Sequence, residues 1–389
     1  MARLIDITGK AVSGEWGFDD ETGDGIPVIR TTNFTNDGVV NYNDIVTRKI
    51  IKKNLDEKYL RKGDIIIEKS GGSDKFPVGR VIYFDGEENT YLFNNFTGLL
   101  RVKNQELWYT KYVFYSLFFN YKRGGTRAFE NKTTGLHNLK TDEYVRRYEV
   151  TERSRNEQIL ICEKLDRAYS IIKSRQLELL LLDELIKARF VEMFGDININ
   201  NKNWECEFLG NLCTIVRGGS PRPIEKFLGG DVPWIKIGDA TEADNIYLSS
   251  TKEHIIKEGV KNSRLVKEGS LIFANCGVSL GFARIITFDG CIHDGWLAME
   301  DIDKRLDKVF LLQALNQMTE HFRAIAPAGT QPNLNTAIMK AYKQVIPPIE
   351  LQKEFIRFVH QVNKSKVAVQ KALDESQILF DSLMQKYFG

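Results

Sequence analysis

The chain has 389 residues, 42% hydrophobic and 27% charged, an ordinary globular composition with enough apolar material for two or more buried cores. Its formal net charge of +2 leaves any nucleic-acid binding to local basic patches. No apolar run reaches the roughly 18 residues of a membrane span, MARLIDITGK has no signal-peptide core, and the five cysteines (Cys162, Cys206, Cys213, Cys276, Cys291) form no Cys-x-x-Cys pair, which argues against a disulfide scaffold or zinc site and predicts a reducing cytoplasm.

In chain order, IPVIRTTN (Ile26 to Asn33) comes first, and KGDIIIEKSGG (Lys62 to Gly72) then sets a short apolar run behind a glycine turn. GRVIYFDG (Gly79 to Gly86) ends on a turn signal, and a helix is expected near Trp108 to Tyr121. From Arg155 to Phe194 there is no proline or glycine, and Ile161, Leu165, Ala168, Ile172, Leu179, Leu182, Ile186 and Met193 keep one heptad frame, interrupted by Arg175 and Arg189. KARFVEMFGD closes that run like the end of a protein.

The phrases then return. VPWIKIGD (Val232 to Asp239) repeats the first, with Pro27 and Pro233 standing 206 positions apart. Gly63 and Gly269, in KGDIIIEKSGG and EGSLIFANCGV, are again 206 apart; Arg80 and Arg284, in GRVIYFDG and ARIITFDG, are 204 apart. Asn138 and Asn333 stand at 195, and Gln158 and Gln352, like Phe194 and Phe388, at 194. An offset that drifts slowly in one direction marks a duplicated unit whose loops differ by a few residues. A second helix is expected near Lys308 to Ala324. A second heptad frame follows over 350–388: Phe355, Val359, Val362, Val369, Leu373, Phe380, Leu383 and Tyr387, interrupted by Lys366 and Ser376. Each long helix, at 1.5 Å per residue, would span roughly 60 Å, and the two are expected to pack antiparallel. The predicted class is α+β: two duplicated globular parts over 1–150 and 197–346, each followed by a long helix over 151–196 and 347–389.

This order of globular part, long helix, globular part, long helix resembles the specificity subunit of type I restriction–modification systems. The likeness rests on GGSPRPIEKFLGGDVPWIKIGD, EGSLIFANCGVSLGFARI, GTQPNLN, IPPIELQKEFI and LIKARFVEMFGD, and it covers the whole chain. The first copy departs from the pattern with YEVTERSRNEQ and TTGLHNLK. The resemblance implies two target recognition domains, each reading one half of a split double-stranded DNA sequence. It implies helices that set the spacing and dock two methylation subunits, with motor–nuclease subunits joining for cleavage. It implies no cofactor, no membrane and no catalysis by this chain.

The residues themselves agree with a non-enzyme. IPPIE (Ile346 to Glu350) lacks the Asn or Asp and the aromatic that flank the paired prolines of an adenine methyltransferase loop, and reads as the lead-in to a helix. Asp64, Glu68 and Lys69 contain the groups of a metal-dependent nuclease, but Glu68 and Lys69 are adjacent and point to opposite faces of a strand. The five histidines (His137, His254, His293, His321, His360) show no ligand spacing. DNA binding has better support. Asn120 to Lys140 carries Lys122, Arg123, Arg127, Lys132 and Lys140 against Glu130 alone, and its glycines and Thr133 suit phosphates. His321 to Lys343 carries Arg323, Lys340 and Lys343, with Gln331 and Asn333 suited to adenine edges. The candidate DNA-facing set is Arg30, Thr31, Asn33, Lys69, Lys122, Arg123, Arg127, Lys132 and Thr133 in the first copy. In the second it is Arg217, Ser220, Arg222, Lys236, Asn275, Thr330, Gln331 and Asn333. A free-standing recognition component of another methyltransferase or nuclease, or a protein-binding adaptor, are the rival readings.

Overall fold

A computed structural model describes residues 1–389 apart from 53–54, 134–135, 242–245, 278 and 328–332, and gives the backbone alone for 132, 133 and 136. The chain divides into two compact units, and both cuts fall within long helices. The first unit is Met1–Gln176 with Lys371–Gly389; the second is Leu177–Gln370.

The first unit holds two four-stranded sheets. One runs in the order Val12–Ser13, Thr97–Leu100, Ile65–Glu68, Val81–Tyr83; the other Phe18–Asp19, Val46–Lys49, Ile26–Ile29, Leu92–Phe93, its last pair parallel. The second unit repeats the plan. Thr214–Arg217, Trp296–Glu300, Leu271–Ala274, Ala283–Ile286 and Tyr247–Leu248 form one sheet; Glu253–Ile255, Leu228–Ile235, Gly290–Ile292 and Arg264–Val266 form the other. The apolar runs IIIE and LIFA are buried along their whole length, which is why they read as continuous and not alternating. Gly63 and Gly269 precede them with φ of 96° and 80°, a conformation that side chains disfavour, so the turn needs glycine.

A set of backbone hydrogen bonds recurs at matched places in the two units. Asn94 N–H donates to the Ile29 carbonyl at 3.0 Å and His293 N–H to that of Ile235 at 3.2 Å. Lys69 N–H donates to Phe96 and Asn275 N–H to Gly295; Leu139 N–H donates to Lys69 and Leu334 N–H to Asn275. Gly14 and Gly218 mark the same close approach, since a Cβ would fall 2.2 Å from the carbonyl oxygens of Asn94 and His293 respectively. One expected match is displaced. Val81 pairs with Ile67 and Ala283 with Phe273, so Arg80 corresponds to Phe282 and Arg284 to Ile82. The shared FDG endings mislead by two residues: Phe84 directly follows Tyr83 in the first unit, whereas Phe288 is the third residue after Ile285, the equivalent of Tyr83, in a connection to the next strand that is shorter in the second unit.

The long helices are Arg155–Phe194 and Ile349–Phe388, each of 40 residues. Pro347 and Pro348 stand immediately before the second, where proline fits because early helical N–H groups lack partners anyway. Within the first unit Leu165 and Ile172 of the first helix share a core with Phe380 and Met384 of the second. Within the second unit Phe190 and Phe194 meet Phe355 at ring-centroid distances of 5.4 Å. The start of each helix therefore meets the end of the other, an antiparallel pairing. Of the frame interruptions, Lys366 donates to Asp183 at 2.7 Å and Arg189 to Glu354 at 3.2 Å.

The repeated closing phrase has a packing role. Phe194 lies 4.8 Å from the Phe310 ring, and Phe388 lies 5.2 Å from Tyr112. Tyr112 and Phe310 are equivalent: each is the third residue after a position whose N–H is accepted by a buried glutamine. Gln158 Oε1 accepts from Tyr109 N–H at 2.8 Å while its Nε2 donates to the carbonyls of Leu107 and Arg153; Gln352 Oε1 accepts from Asp307 N–H at 2.8 Å while its Nε2 donates to those of Arg305 and Pro347. Each long helix thus starts by clasping one globular part and ends by closing the core of the other.

Candidate nucleic-acid interface

In the second unit the segment His293–Gly295 gathers three of the expected residues, Arg217, Ser220 and Arg222. Arg217, at the end of its strand, donates through Nε to the Asp294 carbonyl at 3.1 Å. Ser220 Oγ donates to Asp294 Oδ1 at 2.8 Å, and Arg222 reaches Oδ2 at 3.4 Å. His293 Nδ1 accepts from Gly295 N–H at 2.9 Å, which leaves the proton on Nε2, 3.2 Å from Asp294 Oδ1. Burial pushes the His293 imidazole below its ordinary value; Asp294 opposes this, and Lys236, Arg222 and Arg217 add to it. For Asp294, burial would raise the carboxyl, but Ser220, His293, Arg222 and Arg217 together hold it below the usual range. Lys236 is paired with Glu253 and lies 5.7 Å from the Trp234 ring.

Asn275 and Asn333 complete this face from beneath. Asn275 Nδ2 donates to Asn333 Oδ1 and to the Leu334 carbonyl, both at 3.2 Å. Asn275 is fully buried, so its side chain orders the strand end and does not face outward. Thr330 and Gln331 lie outside the described residues.

The first unit distributes its candidates differently. Lys69, at the position that Asn275 holds in the second unit, donates to Ser13 Oγ at 2.9 Å. Burial, with Lys58 nearby, lowers its ammonium below the ordinary value against the pull of Asp142. It lines an open cleft of about 720 Å³ with Ser13, Lys140, Arg146, Arg147 and two acids, Asp142 and Glu143. Arg146 and Arg147 were not singled out from sequence; the signal was an arginine pair in the last turn of the short helix Thr141–Arg147. Arg30 donates to the Asp44 carboxylate at 3.0 Å, and the Thr31 carbonyl accepts from Arg80. Asn33 is a correction. It is buried, accepting from Arg30 N–H and donating to the carbonyls of Asn41 and Asp44, so its amide shapes the loop and cannot reach a base edge.

The basic stretch Asn120–Lys140 is more ordered than a phosphate-draped loop. It contains the end of helix Thr110–Lys122, a 3₁₀ turn over Gly125–Phe129 and a hairpin of Glu130–Thr133 with Leu136–Leu139. Lys122 and Arg123 lie over the rings of Phe118 and Phe119 and line a separate recess of about 750 Å³ with Lys111, Asp166 and Lys173. Arg127 donates to the carbonyls of Asp74 and Lys75 at 3.3 Å. Lys132 and Thr133 lie on the hairpin, with their side chains outside the described residues. Glu130 turns inward to Val78 N–H and His137.

The carboxylates considered for nuclease chemistry each hold an arginine. Arg101 forks onto Asp64 at 2.8 and 2.6 Å, and Arg80 donates to Glu68 at 3.1 Å. Burial raises the Glu68 carboxyl, with Arg80 opposing. Among the described residues no group of three or more His, Cys, Asp or Glu could hold a metal ion, and no helix is long and apolar enough to cross a membrane.

Comparison with known proteins agrees with the duplicated frame. A family model described as the type I restriction modification DNA specificity domain matches residues 4–180 and again 201–376. A curated relative, the type I restriction enzyme MjaIX specificity subunit of Methanocaldococcus jannaschii, is 22% identical over 176 residues, 44% of this chain and 40% of that protein. Among solved structures, one described as the structural basis of complex assembly and conformational transition of the type I R-M system is 14% identical. It covers all of this chain and 96% of its own, with a TM-score of 0.61. The type I restriction–modification S subunit from M. genitalium is 16% identical, covers all of this chain and 95% of its own, and has a TM-score of 0.55. At these identities the solved structures speak for the fold, while the twice-matching family model speaks for descent: the chain belongs to the type I restriction modification DNA specificity domain family and carries that domain twice.

Proposed function

We propose that this chain is the DNA-recognition subunit of a type I restriction–modification complex, reading a bipartite double-stranded target with one half-site assigned to each globular part. The observation that carries this reading is a fixed backbone frame that presents unlike side chains at matched places. Ser13 stands where Arg217 does, and the partly exposed Lys69 stands where the second unit has the inward-turned Asn275, with the same backbone hydrogen bonds around them. A frame kept twice with its polar side chains changed suits two different half-sites read by one architecture. The candidates for DNA contact are Lys69, Lys122, Arg123 and Arg127 in the first unit and Arg217, Ser220, Arg222, Lys236 and Asn333 in the second, together with Lys132, Thr133, Thr330 and Gln331, whose assignment rests on the sequence alone.

The chain is a reader without catalysis of its own, and methyl transfer and cleavage belong to two methylation subunits and to motor–nuclease subunits. The long helices supply the docking surface. Leu177, Leu180, Leu181 and Leu185 recur at helical spacing and are each about half exposed or more, an apolar stripe that a lone soluble helix does not need. The helices also set the spacer between half-sites. The test is to exchange residues 1–150 for the corresponding part of a relative and to map methylated adenines with the methylation subunits present. One half of the target changes and the other stays. A wholly new target, or an unchanged one, overturns the reading.

A further inference from the structure

The cations expected to meet DNA already lean on acids in the free chain. Arg30 is held by Asp44, Lys236 by Glu253, and Arg222 by Asp294. The Asp294 carboxylate is the most completely surrounded. It accepts from the Ser220 hydroxyl on one oxygen, with His293 Nε2 3.2 Å away, and from the Arg222 guanidinium on the other, while Arg217 donates to its backbone carbonyl. A hydroxyl and a guanidinium on a carboxylate, with an imidazole and a second guanidinium close by, are the groups that protein surfaces offer to backbone phosphates. The first unit makes a similar arrangement in the neighbouring segment. Glu15 N–H bonds the Phe93 carbonyl as Gly219 N–H bonds that of Ile292, so Glu15 stands beside the place Ser220 holds. Its carboxylate takes both Lys52, at 2.7 Å, and Lys58.

We propose that Asp294, and Glu15 in the first unit, are internal stand-ins for DNA phosphates that occupy the cationic face of the free protein and penalise binding to non-target DNA. This rests on the DNA-reading function proposed above. The arrangement suits exchange. Arg222 is 80% exposed and 3.4 Å from its partner, and an exposed pair of that kind is weak enough for a phosphate to displace. The displaced carboxylate remains close by as a like charge, and like charges at an interface select against partners that bring no compensating contacts. A duplex of the correct sequence supplies those contacts through its base edges; other DNA does not.

The test is Asp294→Asn in the full chain, titrated with a fluorescein-labelled duplex of mixed sequence across salt. Removing the charge while keeping the shape should tighten binding roughly three- to tenfold at about 50 mM salt and steepen the log–log salt slope by about one. Enrichment from a randomised duplex pool should become less selective. Glu15→Gln should tighten binding in the same direction, and it decides the matter if Asp294→Asn proves to have a lowered melting temperature. Equal or weaker binding by folded variants overturns the inference while the wild-type chain still binds with a steep salt slope. If the wild-type chain itself shows no salt-dependent DNA binding, the DNA-reading function falls and this inference with it.

Discussion

Gln352→Ala is the substitution that most directly tests the clasp between a long helix and its globular part. The side chain is fully buried and makes three hydrogen bonds, all to backbone: Asp307 N–H at 2.8 Å, the Arg305 carbonyl at 2.8 Å and the Pro347 carbonyl at 2.7 Å. Each is worth about 1 kcal/mol net, so truncation is expected to cost about 3 kcal/mol. That is a large share of the roughly 5–15 kcal/mol available to a domain. Gln352→Glu should cost at least as much, because it replaces the Nε2 donor by an oxygen facing two carbonyls. Gln158→Ala should destabilise the first unit by a similar amount, since its three bonds correspond one to one. Denaturant unfolding followed by tryptophan fluorescence measures this, with Trp108 in the first unit and Trp234 and Trp296 in the second. A loss under about 1 kcal/mol for both alanine variants would refute the assignment of these glutamines as clasps.

Two further expectations concern the helices. Phe194→Ala, which empties a fully buried site among Phe190, Phe310 and Phe355, should cost about 3–5 kcal/mol in the same unfolding assay. Phe388→Ala should cost about half that, because Phe388 is only partly buried against Tyr112; equal losses would contradict the burial difference. Lys366→Met should change stability by less than about 1 kcal/mol, since the Lys366–Asp183 pair is partly exposed and a seam position accepts an apolar side chain. A loss well above that, measured by thermal melting, would mean the pair fixes the register of the helices.

The duplication was legible because its markers are residues that the backbone requires. Gly63 and Gly269 match since both turns need positive φ, and Gln158 and Gln352 match since both satisfy the same three backbone groups. The long helices were legible from the absence of proline and glycine and from the apolar period. Phe190 and Phe194 fell outside the heptad frame, because at that end the helix packs into a globular core and not only against its partner helix. The pairing of Arg80 with Arg284 fails because identical triplets, FDG in both copies, begin at different distances from their strands. Asn33 failed for a different reason. An asparagine that bridges carbonyls inside a loop and one that presents its amide to a base look the same in a string of letters; only burial and partners separate them.

That distinction explains why the frame is readable and the reading face is not. The bonds that place Lys69 and Asn275 come from their own N–H and carbonyl groups, which every residue type but proline supplies. The backbone frame is therefore the same under both residues, while the side chains go separate ways: Asn275 turns inward to Asn333 and the Leu334 carbonyl, and Lys69 reaches Ser13 Oγ. The same holds at Ser13 and Arg217, whose strand pairing is again backbone alone. Positions where the backbone does the holding leave no constraint in the sequence on the side chain. They are therefore the places where one fold can accept new base contacts while keeping its stability. Asp294 works the other way: its carboxylate holds Ser220 and Arg222 and stands 3.2 Å from His293 Nε2, so a change there would alter several neighbours at once and the charge they present to DNA.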